Sequence, residues 1–487
     1  MVATIIEPLR AEWAKVLATI ERKKGEITAL GPHDPRRDNL YKEARSLAIG
    51  FHGKLCATRV LDLACGTGNF LYVALELMKR LEGEVIDAVE ALGGQEEVRW
   101  LDRQNVDPHQ FLGMEINPRA AAIAELVLWI GFLQWHFRTR SDPPPEPILH
   151  AFKNVGVKNA VLDADIGIAR DAKGKPLTRL GADGVPVEVY EYANARRPKW
   201  PPAEYIVGNP PFIGGKDLRA RLGEEYTEAL WTAHPHMNES ADFVMYWWDR
   251  AADILTRKGT VLRRFGLVTT NSISQVLQRR VVERHVNAKD PVSIVMAIPD
   301  HPWTKGSPDA AAVRIAMTVA EAGASEGLLC EVTRETGLDT DTPIIDFAER
   351  RGKINSDLTI GVDITTAVAL EANEGVYSPG VKLHGAGFIV RPQAAANLGL
   401  GRRQGLERHI REYRNGRDLT SRPRGVRVID LFGLDIDAVR TRFPEIYQHI
   451  KMEVKEKIIV KKGKEVKVGL SRFKERHGEL RSLYRDG

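Results

Sequence analysis

Cysteine is scarce in this chain, with Cys56, Cys65 and Cys330 the only three among 487 residues. Thiols so few and so scattered exclude a disulfide framework and the paired spacings of a cysteine zinc module, and we read the protein as intracellular, in a reducing cytoplasm. Long apolar runs are also missing. Met1–Arg10 places Glu7 and Arg10 where a secretory leader needs an apolar centre. The most apolar stretch, Ala120–Trp135, contains Glu125 and Gln134 and falls short of the roughly 18 residues of a membrane span, so a buried helix is expected there and no membrane partner. What remains is ordinary globular composition, 43% hydrophobic and 28% charged, which excludes a disordered or collagen-like chain and allows two to four domains.

The net charge of +5 is small but unevenly spread. Residues 401–427 hold nine Arg against three acids and residues 451–487 hold twelve basic residues against six acids, so each segment nets +6 and the remainder nets −7. A mildly acidic body with a basic C-terminal end fits a polyanion partner; solvated helix faces would give the same count.

Residues 1–45 show helical spacing, with Ile5, Leu9, Trp13 and Val16 on one side before the Gly31-Pro32 break. From Thr58 onward, short apolar runs alternate with longer amphipathic segments, the pattern of an α/β domain with a largely parallel sheet. The runs are Arg59–Leu63, Phe111–Glu115, Lys158–Leu162, Tyr205–Val207, Phe265–Thr269, Val292–Ile298 and Val313–Val319. Helices are expected over Phe70–Leu81, Pro118–Phe137, Ala241–Leu255 and Ser272–His285, and surface loops at Pro143–Pro145 and over 173–202, the second with a short hairpin. The alternation fades beyond about residue 325. The division expected is an N-terminal helical segment 1–45, an α/β domain 46–325, a connector 326–375 and a smaller mixed α/β domain 376–487 ending in a basic tail.

Three strand ends carry candidate chemistry. Val60-Leu61-Asp62-Leu63-Ala64-Cys65 leads into Gly66-Thr67-Gly68 and then Asn69-Phe70 at a helix start, where glycines admit close backbone approach and a helix N-terminus offers unpaired N–H groups. A dinucleotide fingerprint would place a third Gly where this chain has Leu71. Asp62 suits instead a ligand bearing an ammonium group, such as S-adenosylmethionine. Candidate cofactor contacts are therefore Asp62, Ala64, Gly66, Gly68, Asn69 and Phe70. The second strand ends in Glu115, a carboxylate positioned to take ribose hydroxyls. On a third, Asp163 or Asp165 can accept an adenine amine, and the residues do not choose between them.

The fourth strand leads into Asn209-Pro210-Pro211-Phe212. Two prolines hold this turn extended at a strand's C-terminal end, where open α/β sheets hold ligands. The exocyclic amine of a planar base is a poor nucleophile because its lone pair is delocalised into the ring. The Asn209 side-chain oxygen and the Pro210 carbonyl can each accept one of its hydrogens and favour a tetrahedral nitrogen, while Phe212 stacks on the base. Positioning and electrostatics suffice, with no metal required.

In this order, the Gly loop, Glu115 and Asn209–Phe212 resemble the class I adenosylmethionine-dependent amino-methyltransferases of the N6-adenine DNA group. More closely, Pro8–Trp13, Asn69–Leu75, Gly266–Ser272 and Asn415–Leu419 resemble the methyltransferase part of MmeI-like restriction-modification proteins, type IIL or type IIG, over roughly residues 1–450. The resemblance implies a Rossmann-like methyltransferase sheet with flanking helices, followed by a target recognition domain. It also implies transfer of a methyl group from S-adenosylmethionine to a flipped adenine in double-stranded DNA, in restriction-modification or phage defence. An extruded base needs holding, and the resemblance makes Trp303 a second stacking wall beside Phe212. Arg402, Arg403, Arg414, Arg417, Arg422 and Arg424 then become candidate DNA contacts. Such proteins usually begin with a nuclease domain and a helical connector, so this sequence reads as a truncated form without the nuclease, its recognition domain partial after about Lys451, and a separate nuclease or specificity subunit is a candidate partner. Two other readings stay open: methylation of RNA or of protein glutamine, and a non-catalytic DNA-binding subunit.

Overall fold

The computed structural model describes residues 1–101, 104–139, 154–180, 186–303, 314–338, 340, 343–363, 386–414, 418, 424–431, 434–455, 458–461 and 464–467. The chain divides into two compact units, Met1–Thr366 and Ala367–Gly487.

In the first unit a short π-helical turn, Val2–Ile6, leads into helix α1 (Glu7–Ala29) and then α2 (Arg36–Ala57). The α/β core follows as β1 (Val60–Asp62), α3 (Asn69–Ala91), β2 (Phe111–Glu115), α4 (Pro118–Thr139), β3 (Val155–Val157) and β4 (Tyr205–Gly208). It continues with α5 (Met245–Leu255), β5 (Arg264–Thr270), α6 (Val276–Val286), β6 (Val292–Pro302), β7 (Arg314–Ala322), β8 (Gly327–Thr336) and β9 (Ile344–Gly352). These nine strands form one sheet in the order β9-β8-β6-β7-β5-β4-β1-β2-β3. From β3 to β5 all neighbours are parallel, and β7 is antiparallel to both β5 and β6. Read from the β3 edge, this is the doubly wound order 3-2-1-4-5-6 with β7 inserted between the fifth and sixth strands.

Alternate residues of each central strand feed opposite cores, as expected of parallel strands covered on both faces. On one side Val60, Tyr205 and Val207 pack with Ile5, Leu9, Trp13, Phe51 and the apolar stripe of α3. On the other, Leu61, Ile206, Phe265 and Leu267 pack with Trp247 and Trp248 of α5 and Val281 and Val282 of α6. The N-terminal segment is therefore part of the sheet's cover. Arg264 donates to the Ala3 carbonyl at 3.0 Å, and a Cβ on Gly266 would stand 2.0 Å from Thr4 Oγ1.

Several expectations are corrected. Helix α2 runs through residue 45, so the helical segment does not separate there from the sheet that it covers. The third strand lies at Val155–Val157, not Lys158–Leu162, because the Asn159 side-chain oxygen accepts the N–H groups of Val161 and Leu162 and turns the chain. Residues 327–352, expected as connector, form β8 and β9 and widen the sheet. Helix α4 has 22 residues and is long and apolar enough to cross a membrane by length and composition. It is also less buried than expected: Ala124, Leu128 and Phe132 face the core while Ile123, Leu126, Ile130 and Phe137 are exposed. The described residues between 163 and 196 include two-stranded ribbons, Asp163–Ile168 with Tyr190–Arg196 and Thr178–Leu180 with Pro186–Glu188. Pro143–Pro145 lie outside the described residues.

The second unit has its own core of Val390, Leu406, Ile410, Ile429, Phe443 and Ile446. A three-stranded sheet of Ile389–Val390, Arg427–Ile429 and Ile410–Glu412 packs with helices Ile436–Arg442 and Pro444–Ile450, the first capped by the Asp435 carboxylate on the Ala438 N–H.

One buried ionic group lies behind the sheet. Glu82 is 2% exposed and accepts from Lys79 Nζ at 2.6 Å, from the Val106 N–H at 2.7 Å and, at 3.2 Å, lies on His52 Nε2. Burial works against its charge, yet His52, Lys79 and the Val106 N–H outweigh it and hold the carboxyl below its usual range. A depressed acid stabilises the fold above its unfolded value, about 4.3, and that contribution is lost as pH falls through the folded one. Chemical denaturation should show Glu82→Ala less stable by about 3–5 kcal/mol at pH 7. Glu82→Gln should lose less stability than wild type between pH 5 and pH 3.

Candidate active site

Strands β1 and β4 are adjacent and parallel at the centre of the sheet, where the strand order reverses and connections leave to either side. Ligands of doubly wound folds bind in the crevice that opens there, beyond the C-terminal ends of the strands. Asp62 ends β1 and is 1% exposed. Its Oδ1 accepts the Ala64 N–H at 3.1 Å and faces Gly208 at the end of β4, where an added Cβ would stand 3.0 Å away. Burial pushes the Asp62 carboxyl up to about 7, with the charge of Glu115 acting the same way and the Ala64 N–H opposing both.

The loop after Asp62 is held by glycine geometry. Gly66 and Gly68 have φ of +53° and +86°, which side-chain-bearing residues rarely adopt. Gly68 caps α3, and a Cβ on it would press on Ala124 of α4, 3.0 Å from both its Cα and Cβ. Glu115, ending β2, accepts the Gly66 N–H through Oε2 and the Asn117 N–H through Oε1, each at 2.9 Å. It thus staples the loop, and each oxygen keeps a lone pair free for a ligand hydroxyl. Trp247 of α5 donates its indole N–H to the Leu63 carbonyl at 3.2 Å, fixing the loop from the other face. Sequence reasoning missed Trp247, because no local spacing links it to residue 63. It also missed Gly208, whose signal was a glycine immediately before Asn-Pro-Pro.

Beyond β4, the Asn209 side-chain oxygen is buried and has no hydrogen-bond partner among the described residues. Such an acceptor is costly unless a ligand donor completes it. Pro210 is buried, Pro211 exposed and Phe212 half-buried. Trp303, 39% exposed, meets Phe212 edge to face, with ring centroids 6.5 Å apart and planes at 84°. The two rings are thus neighbours with roughly perpendicular planes.

Asn69 and Phe70 open α3 beside the glycines, and Ala64 contributes its N–H to Asp62. Asp163 and Asp165 lie on the ribbon outside the main sheet, Asp163 paired with Arg196 at 3.0 Å and Asp165 accepting from Asn194 at 2.7 Å. Four of the six arginines are engaged within their own unit. Arg402 donates to the Ala396 carbonyl, Arg403 pairs with Glu445, Arg414 is 3.4 Å from Glu412, and Arg424 grips buried Asp418 through two nitrogens at 2.6 and 2.7 Å. Arg417 and Arg422 lie outside the described residues.

A family model described as the MmeI DNA-methyltransferase domain matches residues 38–329, more than half of the chain. The chain belongs to this family. Its matched region contains Asp62, the glycine loop, Glu115, Asn209–Phe212 and Trp303. DNA methyltransferase A of Bacillus subtilis (strain 168) is 25% identical over 265 residues, 52% of this chain and 25% of the relative. The type IIL restriction-modification enzyme MmeI, solved in complex with DNA, aligns with a TM-score of 0.55 and 20% identity over 92% of this chain and 52% of that one. That likeness shows the fold. The chain thus spans about a quarter of the first relative's length and about half of the second's.

An aspartate raised to about 7 binds a cation better as it ionises. Calorimetric affinity for a ligand that sets an ammonium group on Asp62 should therefore weaken about fivefold from pH 7 to pH 6, with proton release on binding, because only the ionised fraction competes for the ligand. Asp62→Asn should bind more weakly and lose that pH dependence.

Proposed function

We propose that the protein transfers a methyl group from S-adenosylmethionine to the N6 amine of adenine in double-stranded DNA. The observation that carries this reading is the Asn209 oxygen at the end of β4, buried and without a partner among the described residues, one residue beyond the glycine that lies against Asp62.

The residues present fit the cofactor. Asp62 is a buried carboxyl that a ligand ammonium would neutralise, Gly66 and Gly68 keep side chains out of the loop's path, and Glu115 retains acceptor capacity for ribose hydroxyls. Ala64, Asn69 and Phe70 complete the cofactor side of the reading, and one of Asp163 and Asp165 would accept the adenine amine. When bound, the cofactor would supply a methyl carbon on a sulfonium sulfur, with a neutral thioether as the leaving group that keeps the C–S electron pair.

The chain's part is to present the nucleophile. Asn209 Oδ1 and the Pro210 carbonyl accept the two amine hydrogens, turn the nitrogen lone pair out of ring conjugation and stabilise the positive charge that grows on nitrogen. The extra proton is then lost to water. Phe212 offers a face to the extruded base, and Trp303 stands roughly perpendicular beside it. Duplex DNA is the substrate in this reading, held by the basic C-terminal segments and, in restriction-modification or phage defence, acted on together with a separate nuclease or specificity subunit.

Transfer of labelled methyl to duplex DNA, followed by nucleoside analysis, tests the proposal. Wild type should yield N6-methyladenine. Asn209→Ala should lower the single-turnover rate by about 100-fold or more while changing cofactor affinity only a few-fold, as for loss of an acceptor used mainly in the transition state. Label in RNA or protein and not in DNA would overturn the substrate. Equal labelling by wild type and Asn209→Ala would overturn the catalytic turn.

A further inference from the structure

The run Gly266–Ser272, singled out in the sequence, has no part in the chemistry above. Its first residues belong to β5, where Leu267 pairs with Gly208, the residue before Asn209. Strand β5 thus fixes the start of the Asn209–Phe212 turn. Its far end reaches the other side of the same turn through Asp242.

Ser272 Oγ lies 2.6 Å from Asp242 Oδ2 and 2.5 Å from Thr270 Oγ1. A hydroxyl has one proton, and Ser272 spends its own on the carboxylate, so Thr270 donates to Ser272. The other carboxylate oxygen, Asp242 Oδ1, accepts the Gly215 N–H at 3.1 Å, and the Phe243 N–H donates to the Ile213 carbonyl at 2.8 Å. Asp242 is itself held, since its N–H donates to the buried Gln278 side chain at 3.0 Å. Gly215 sits so close that an added Cβ would stand 2.2 Å from the Ser240 carbonyl oxygen. The backbone one and three residues beyond Phe212 is therefore bound to residues 240–243, and those are bound to the end of β5.

We infer that Asp242, Ser272 and Thr270 are positioning residues that set the Asn209–Phe212 turn against the cofactor crevice, an inference that rests on the proposed methyl transfer. With both ends referenced to β5, the Asn209 acceptor and the Phe212 ring cannot move independently of the strand beside them. Chains of hydrogen bonds ending on a carboxylate reinforce one another. A displacement of about 1 Å at a reacting centre can reduce a rate by about 100-fold. Residues of the relay touch the turn's trailing backbone and not the reacting atoms, so their loss should reduce turnover without reducing cofactor binding.

Full-length Ser272→Ala, Ser272→Thr and Asp242→Asn proteins test this by amide hydrogen exchange, cofactor calorimetry and single-turnover methyl transfer. Ser272→Ala should speed exchange in a peptide spanning 212–217 by about tenfold, leaving one spanning 63–70 and the melting temperature as in wild type. Its methyl-transfer rate should fall about 30-fold or more, with the dissociation constant for S-adenosylmethionine within about twofold. Ser272→Thr, which keeps the hydroxyl, should restore the rate to within about threefold of wild type. Asp242→Asn should behave like Ser272→Ala; if it does not fold, Ser272→Ala decides. Unchanged exchange at 212–217 in Ser272→Ala overturns the hold of Asp242, Ser272 and Thr270 on the turn. Equal loss of cofactor binding and rate, or no rescue by Thr, overturns the positioning role. If wild type methylates no DNA, the proposed function fails while the exchange experiment still decides that hold.

Discussion

The close approach of β1 and β4 governs this molecule. Asp62 ends one strand and Gly208 the other, and the carboxylate oxygen occupies the space that any side chain at residue 208 would need. A carboxyl so placed loses its water and is pushed up to about 7. The sheet order makes this possible, because adjacent parallel strands deliver their two following loops to one crevice. In the proposed reading, a cationic ligand offsets the electrostatic cost that the fold leaves there.

Three further restraints bear on the same crevice from different elements. Glu115 of β2 staples the glycine loop by two backbone amides, and Trp247 of α5 holds that loop at Leu63. The corner after β5 reaches the far side of the Asn209–Phe212 turn through Asp242. Mobile loops could not hold out of water an acceptor such as Asn209 Oδ1, which has no partner among the described residues. The surrounding restraints let the fold tolerate it. The basic C-terminal segments follow a different logic: Arg402, Arg403, Arg414 and Arg424 are engaged with carbonyls and carboxylates of their own unit, so the net charge of a segment overstates its free cationic groups.

Central strands were readable because burial on both faces demands near-continuous apolar runs, as at Val60–Asp62 and Tyr205–Gly208. Periodicity failed where other forces set the backbone. Asn159 caps a turn that displaces the third strand, and the charged residues of β9 conceal a strand whose face is largely exposed. Helix α4 looked like a buried segment from composition, but packing covers only the face that carries Ala124, Leu128 and Phe132. Among candidate site residues, those at strand ends stood out by order and spacing. Gly208, Trp247 and Asp242 did not, since each acts on a residue distant in the chain or through backbone geometry that no local pattern encodes.

The amino-acid sequence by itself determined which residue types end the central strands: the carboxyls of Asp62 and Glu115, the glycines at 66 and 68, and the rigid Asn-Pro-Pro-Phe turn. Local sterics and side-chain chemistry suffice for that. Only the tertiary structure decided that Asp62 is desolvated against Gly208, that the Asn209 oxygen lacks a partner among the described residues, that Trp303 and Phe212 meet edge to face, and that four arginines are already engaged. Desolvation, hydrogen-bond completion and ring geometry depend on what neighbouring strands and helices bring within a few ångströms, and chain order does not specify those distances.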